Sequence, residues 1–299
     1  MSLTFSDRQA IISLCEIHPE SRKYDFGKCV AFKSYFVKFG LSRDLEFQHK
    51  TQEYIHSMTL NDLNAPRVPS VVDYFAVDPN KAYLVMEFID GTTPTNDAHK
   101  EVADALQWLC NVPAPTDAKI GSIGGGPARH DIFLDFRAPL LFTSNEALQN
   151  YMNEVSASTL TWDNSWLELD YLYKALRWLP ASPKPADVNF SNDKLVFSQS
   201  EISERNFLVD ENGKICILNF QDITLLPESF ATYTMNKGRE SFVKGVAGYL
   251  DWTSPNEDLM QWARRFVQVA IPTLGTSMSP LTLLTGYLHD NRPQCGWAK

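Results

Sequence analysis

The residues able to do chemistry gather in one stretch, Leu195 to Asp222. Glu201 stands in a polar loop, Asn206 follows five residues later, and Asn219 closes a short apolar run beyond a turn. A loop acid, an amide at that interval and an oxygen ligand past a hairpin are the parts of a phosphoryl-transfer site. The acid receives a hydroxyl proton, and the two later residues hold the metal ions that bridge the phosphates. Two slots are altered. Asn219 offers Mg²⁺ a carbonyl oxygen but no charge, and Mg²⁺ prefers anionic oxygens in tight octahedral geometry. Glu201 keeps charge and basicity, but its extra methylene moves the carboxylate by about 1 Å, a misplacement that can slow catalysis about 10²-fold. Asp222 and Glu204 are the nearby acids that could stand in for the missing ligand. Taken alone, Glu201 reads as a solvated loop carboxylate; its position in the loop favours a place in the site.

These residues need a rigid frame. Leu195 to Phe197 and Phe207 to Val209 read as short strands, and Ile215 to Leu218 as the strand returning from a turn at Asp210-Glu-Asn-Gly213. Asn-Gly tolerates the positive φ angles such a turn requires. Upstream, Ser6 to Cys15 has helical spacing, Lys28 to Phe39 alternates as two strands, and Asp44 to Met58 is helical again. Tyr83 to Glu87 is an apolar strand running into Gly91, and Asp97 to Cys110 forms a core-facing helix. Gly124, Gly125 and Gly126, followed by Arg129 and His130, have the composition of a phosphate cradle, since glycine lets backbone N–H groups approach an anion. No Gly-Lys-Ser/Thr follows, so this is not a P-loop; a surface loop with a surface histidine is the bland reading. Asn145 to Val155, Asn164 to Leu179, Phe242 to Leu250 and Asp258 to Ile271 are further predicted helices.

The chain resembles the fungal branch of the aminoglycoside-phosphotransferase-like, protein-kinase-like family. Gln199-Ser200 stands where that branch carries Gln-Ser before the loop acid, and Arg67-Val-Pro-Ser-Val71, Glu87-Phe-Ile-Asp-Gly91, Gly121-Ser-Ile-Gly-Gly-Gly-Pro-Ala-Arg129 and Leu226-Pro-Glu-Ser-Phe230 also match. The resemblance implies a two-lobed α+β fold: a small β-rich N-lobe over residues 1–91, on the nucleotide side, and a large, mainly helical C-lobe over 92–299. It places Lys38 as the lysine that faces the nucleotide phosphates, paired with Glu46 or, in the other alignment, Gln48. Met86 would sit at the back of an adenine pocket, with backbone groups of Glu87, Phe88 and Ile89 facing the base. Gly124 to Gly126, Arg129 and His130 would form an acceptor-side loop, and Asn206 and Asn219 the metal site. No G-x-G-x-x-G precedes Lys38; Gly27 is the lone upstream glycine.

The 299 residues carry 44% hydrophobic and 21% charged residues, an ordinary globular composition, with a net charge of −9. No basic run is present, which argues against nucleic acid or anionic membranes. No apolar stretch approaches the ~18 residues a membrane span needs. The five scattered cysteines read as reduced thiols of a cytoplasmic protein, with neither zinc nor haem ligation. The function expected is a kinase-fold small-molecule phosphotransferase homologue, binding ATP and Mg²⁺ weakly and a small ligand between its lobes. Two alternatives stay open: a pseudokinase that binds without transfer, and a repurposed enzyme using Glu201 as acid or base.

Overall fold

The computed structural model describes residues 3–17, 28–158 and 186–268. Its architecture is α+β. Helix α1 (Phe5–Ile17) precedes an antiparallel sheet of β1 (Lys28–Phe32), β2 (Tyr35–Gly40), β3 (Val71–Asp78) and β4 (Lys81–Glu87), in the order β1-β2-β4-β3. Helix α2 (Ser42–Thr59) lies between β2 and β3 in the chain. Side chains alternate across a strand. Val37, Tyr83 and Val85 therefore pack with Ile11 of α1, while Phe36, Leu84 and Met86 pack with Leu45 of α2. Lys38 shares the parity of Phe36, so its side chain projects on the α2 side of the sheet.

After β4 the chain enters β5 (Gly91–Thr92) and α3 (His99–Asn111), then α4 (Asn145–Ser158). Strands β6 (Leu195–Gln199), β7 (Phe207–Asp210), β8 (Ile215–Ile217) and β9 (Ile223–Pro227) follow, with α5 (Glu228–Lys237), α6 (Ser241–Ala247) and α7 (Glu257–Val267). β7 and β8 form the expected hairpin, Leu208 opposite Cys216. Its turn is held by Asp210, whose carboxylate accepts from the Asn212 and Lys214 amides at 2.9 Å each, while Gly213 supplies the positive φ. β5 pairs with β7 on the hairpin's other edge, and β6 pairs with β9, which composition did not disclose.

Ile55 of α2 and Val68 belong to the same buried cluster as Val102, Phe197, Phe207, Ile217 and Phe220. The N-terminal helix α2 is thus part of the core beneath the hairpin. A second cluster joins Phe133, Phe190, Phe230, Tyr233 and Met260. Cys15, Cys110 and Cys216 are free thiols, and burial pushes Cys15 and Cys110 up to about 12. Cys29 is disulfide-bonded, which corrects the expectation of five reduced thiols. Among the described residues no helix is long and apolar enough to cross a membrane. The helix predicted over Asn164 to Leu179 and the end of the one reaching Ile271 lie outside the described residues.

Candidate phosphate site at the foot of the hairpin

The loop before the hairpin is fixed from within. Gln199 Nε2 and Asn206 Nδ2 both donate to the Glu201 carbonyl, at 3.2 and 2.8 Å. The Ser200 amide and hydroxyl donate to the Asp222 carbonyl at 2.9 and 3.1 Å. The Leu218 amide donates to the Asn206 carbonyl at 2.9 Å, which brings the Asn206 backbone alongside the end of β8. Gln199, Ser200 and Asn206 are buried, and Glu201 is half-buried. Asn219 then turns the chain in the left-handed region at φ 55°, a conformation asparagine accepts more readily than most residues.

Lys38 closes the arrangement from the sheet. Its Nζ donates to Asn219 Oδ1 at 3.1 Å and to Gln221 Oε1 at 3.2 Å, joining residues 181 positions apart. Lys38 is only 6% exposed. Burial pulls its pKa down to about 8, Asp222 partly offsetting this and Arg129 adding to it. Asn219 Nδ2 donates to Asp222 Oδ2 at 2.7 Å, and Arg129 Nε donates to Asp222 Oδ1 at 3.2 Å. The result is a chain of contacts, Lys38–Asn219–Asp222–Arg129, in which Lys38 and Asp222 are buried and Asn219 and Arg129 half-buried.

Several expected roles are corrected. Glu46 does not meet Lys38; it accepts from Lys50 one turn away at 2.6 Å, a solvated pair on the outer side of α2. Gln48 is buried, but its Oε1 has no hydrogen-bond partner, and it lines a small recess of about 20 Å³ with Asp44, Arg129, Arg137 and Gln221. Neither candidate therefore pairs with the lysine, whose partners are two amide oxygens. At the end of β4, the Glu87 amide donates to the Ser70 carbonyl at 2.9 Å and the Phe88 amide to the Ser34 carbonyl at 3.3 Å, so those two N–H groups are not aimed at a base. The Glu87 carboxylate accepts from Arg67 Nη2 at 2.5 Å. Met86 is buried against Gln52, and Ile89 packs with Leu208, Cys216 and Leu218.

The glycine loop is likewise not an open cradle. It lies along α2, where the Ile123 amide donates to Thr51 Oγ1 at 3.2 Å. A Cβ on Gly124 would meet the Lys50 side chain at 2.5 Å, and one on Gly126 the Phe47 ring at 2.6 Å; Gly125 faces open space. Positive φ, 89° and 94°, accounts for Gly124 and Gly125, and close packing against Phe47 of α2 for Gly126. Arg129 reaches inward to Asp222, while His130 is fully buried. His130 Nδ1 accepts the Ile132 amide at 3.1 Å and Nε2 lies 2.8 Å from Thr234 Oγ1, with Phe230 edge-on to the ring. Burial lowers its pKa, Asp131 opposing, so it is a neutral core histidine.

The donor set does not fit a divalent ion. Asn206 and Asn219 bring no carboxylate, Asp222 has both oxygens engaged by Asn219 and Arg129, and Glu204 lies in the 3-10 turn before β7. Among the described residues no group of three His, Cys, Asp or Glu side chains is arranged to hold a metal. The roles of Arg129 and Asp222 in the lysine's surroundings were not legible beforehand. Gln221-Asp222, two polar residues just past Phe220 at the end of the hairpin, was the available signal.

A scan against protein-family models found no match, and a search of curated proteins found none. Among solved structures, spectinomycin phosphotransferase with ADP and spectinomycin is similar at 14% identity and TM-score 0.49, over 87% of this chain and 85% of that one. An aminoglycoside 2′-phosphotransferase with GDP is similar at 13% identity and TM-score 0.46, over 87% and 88%. A thermostable mutant of an aminoglycoside phosphotransferase, in a ternary complex with AMP-PNP and hygromycin B, is similar at 10% identity and TM-score 0.46, over 86% and 88%. These scores fall short of establishing a shared fold, so the α+β assignment rests on the strands, registers and helices described above.

Proposed function

We propose that the chain is a kinase-fold homologue of small-molecule phosphotransferases, in which Lys38 faces the phosphates of a nucleotide such as ATP and phosphotransfer is weak. The observation that carries this reading is the 3.1 Å contact between Lys38 Nζ and Asn219 Oδ1. It sets a buried sheet cation against the end of a hairpin whose preceding loop holds Glu201 and Asn206, which supports a site descended from phosphoryl transfer. We divide the lobes after Gly91, a reading supported by the pairing of Gly91–Thr92 with β7. Glu201 would take the hydroxyl proton of a small acceptor. Binding without transfer is the second reading, favoured by the full engagement of Asp222.

The test is a thermal melt with ATP. A ligand that binds only the folded state raises the midpoint, so ATP should raise that of the native protein and leave Lys38→Met unmoved. An equal shift in both proteins would remove Lys38 from the site, and none in either would overturn the nucleotide reading. With a panel of amino and hydroxyl acceptors, Asn219→Asp should raise transfer from ATP. A variant that binds ATP yet transfers nothing would favour the second reading.

A further inference from the structure

The chemistry at Asn219 carries a consequence for how phosphate would be held. An amide has one acceptor oxygen, and here that oxygen receives the Lys38 ammonium while the amide nitrogen is turned to Asp222. A carboxylate at this position could serve the lysine with one oxygen and a metal with the other; Asn219 has a single acceptor oxygen, already shared with Lys38, and brings no negative charge to a metal. Asp222 is equally committed, one oxygen to Asn219 and the other to Arg129. Lys38 and Arg129 face the anion Asp222, and Asp44, which also attracts Lys38, is paired with Arg137 at 3.1 Å, so these residues set three cations against two anions before any ion arrives. A divalent cation on Asn219 would lie beside an ammonium with no free carboxylate between them. A polyanion at the same place gains from both charges, and burial weakens solvent screening of them.

We propose that this site holds nucleotide phosphates by the protein's own cations, without a divalent metal, so that Mg²⁺ does not strengthen binding. The inference rests on the nucleotide reading above, and the experiment separates the two. Melts are recorded for the native protein with ATP in EDTA, with ATP and excess Mg²⁺, and with Mg²⁺ alone. The midpoint should rise with ATP in EDTA at least as far as with Mg·ATP, and Mg²⁺ alone should not move it. A rise that requires Mg²⁺ overturns the inference and leaves the nucleotide reading standing. No rise in either ATP arm overturns both.

Asn219→Asp supplies the converse. Aspartate also accepts the left-handed backbone, and its added charge should make the ATP shift metal-dependent, with affinity in EDTA about tenfold weaker than native, one decade on the binding scale. A folded variant that binds ATP in EDTA as the native protein does would overturn the inference. The native three-arm comparison decides the matter without the variant.

Discussion

At the scale of single residues, the site is defined by what its side chains are already holding. Lys38 is a buried cation whose partners are amide oxygens, and its lowered pKa shows that folding is working against its charge. The strain belongs to the site, since a charge held in a low-dielectric interior without a direct counter-ion is unfavourable unless something binds it. Glu46 behaves in the opposite way. It lies one turn from Lys50 on a solvated helix face, where such pairs contribute ~0.5 kcal/mol or less. Glu46→Ala should therefore change the urea midpoint little and leave the ATP-induced melting shift intact. A variant that lost the shift would restore Glu46 as the lysine's partner.

At the scale of elements, α2 and the glycine loop act as one unit. Ile55 buries one end of α2 in the core below the hairpin, and Phe47, Lys50 and Thr51 form the surface on which residues 121–126 lie. The loop is tied on its other side to β9, with the Gly121 and Leu225 backbones exchanging hydrogen bonds at 2.9 and 2.8 Å. Its next residues carry Arg129 to Asp222, so the packing of a glycine against Phe47 helps set a charge beside Lys38. Gly126→Ala places a methyl group at 2.6 Å from the Phe47 ring, and overpacking of that kind is worth about 1–3 kcal/mol. Chemical denaturation should show that loss with an unchanged m-value. A neutral result would mean the loop moves off α2 without penalty.

At the scale of the whole molecule, Arg67 ties the first sheet to the β7–β8 hairpin. Its backbone N–H and C=O bond to Ile215 and Ile217 of β8 at 2.8 and 2.9 Å, and its guanidinium reaches Glu87 at the end of β4 and Asp210 at the hairpin turn. Burial pushes both carboxyls up, but hydrogen bonds from Arg67, from the Ser70 amide to Glu87 and from the Lys214 amide to Asp210 outweigh it, and both pKa values fall below their ordinary 4.5 and 3.8. Depressed carboxyls add stability that is present above the unfolded-state pKa and is lost as pH falls through the folded one. Acid titration of the folded protein should thus show a loss beginning below about pH 4.5. Arg67→Met should lower stability at neutral pH by about 2–3 kcal/mol, the scale of charged hydrogen bonds left unpaired. It should also flatten that acid limb; a native-like acid slope in the variant would assign the loss to other groups. His130 adds an earlier phase. Its depressed pKa means the unfolded chain takes up the proton first, so stability declines as pH drops through the ordinary histidine value of 6.5.

The local order was legible because local sequence dictates it. Alternation in 28–39, the helical spacing of 44–58 and the Asn-Gly turn at 212–213 fix β1, β2, α2 and the hairpin through backbone sterics and the burial of one face, and strand parity already commits Lys38 to a side of the sheet. Which groups meet across the chain was decided only in three dimensions. Glu46 and Gln48 sit two residues apart, and helix rotation sends the first to solvent and the second inward. His130 follows Arg129 directly, yet one ring is sealed in the core while the other side chain reaches Asp222. Partner choice among polar side chains depends on which of them lose water together, and that is a property of packing between distant segments.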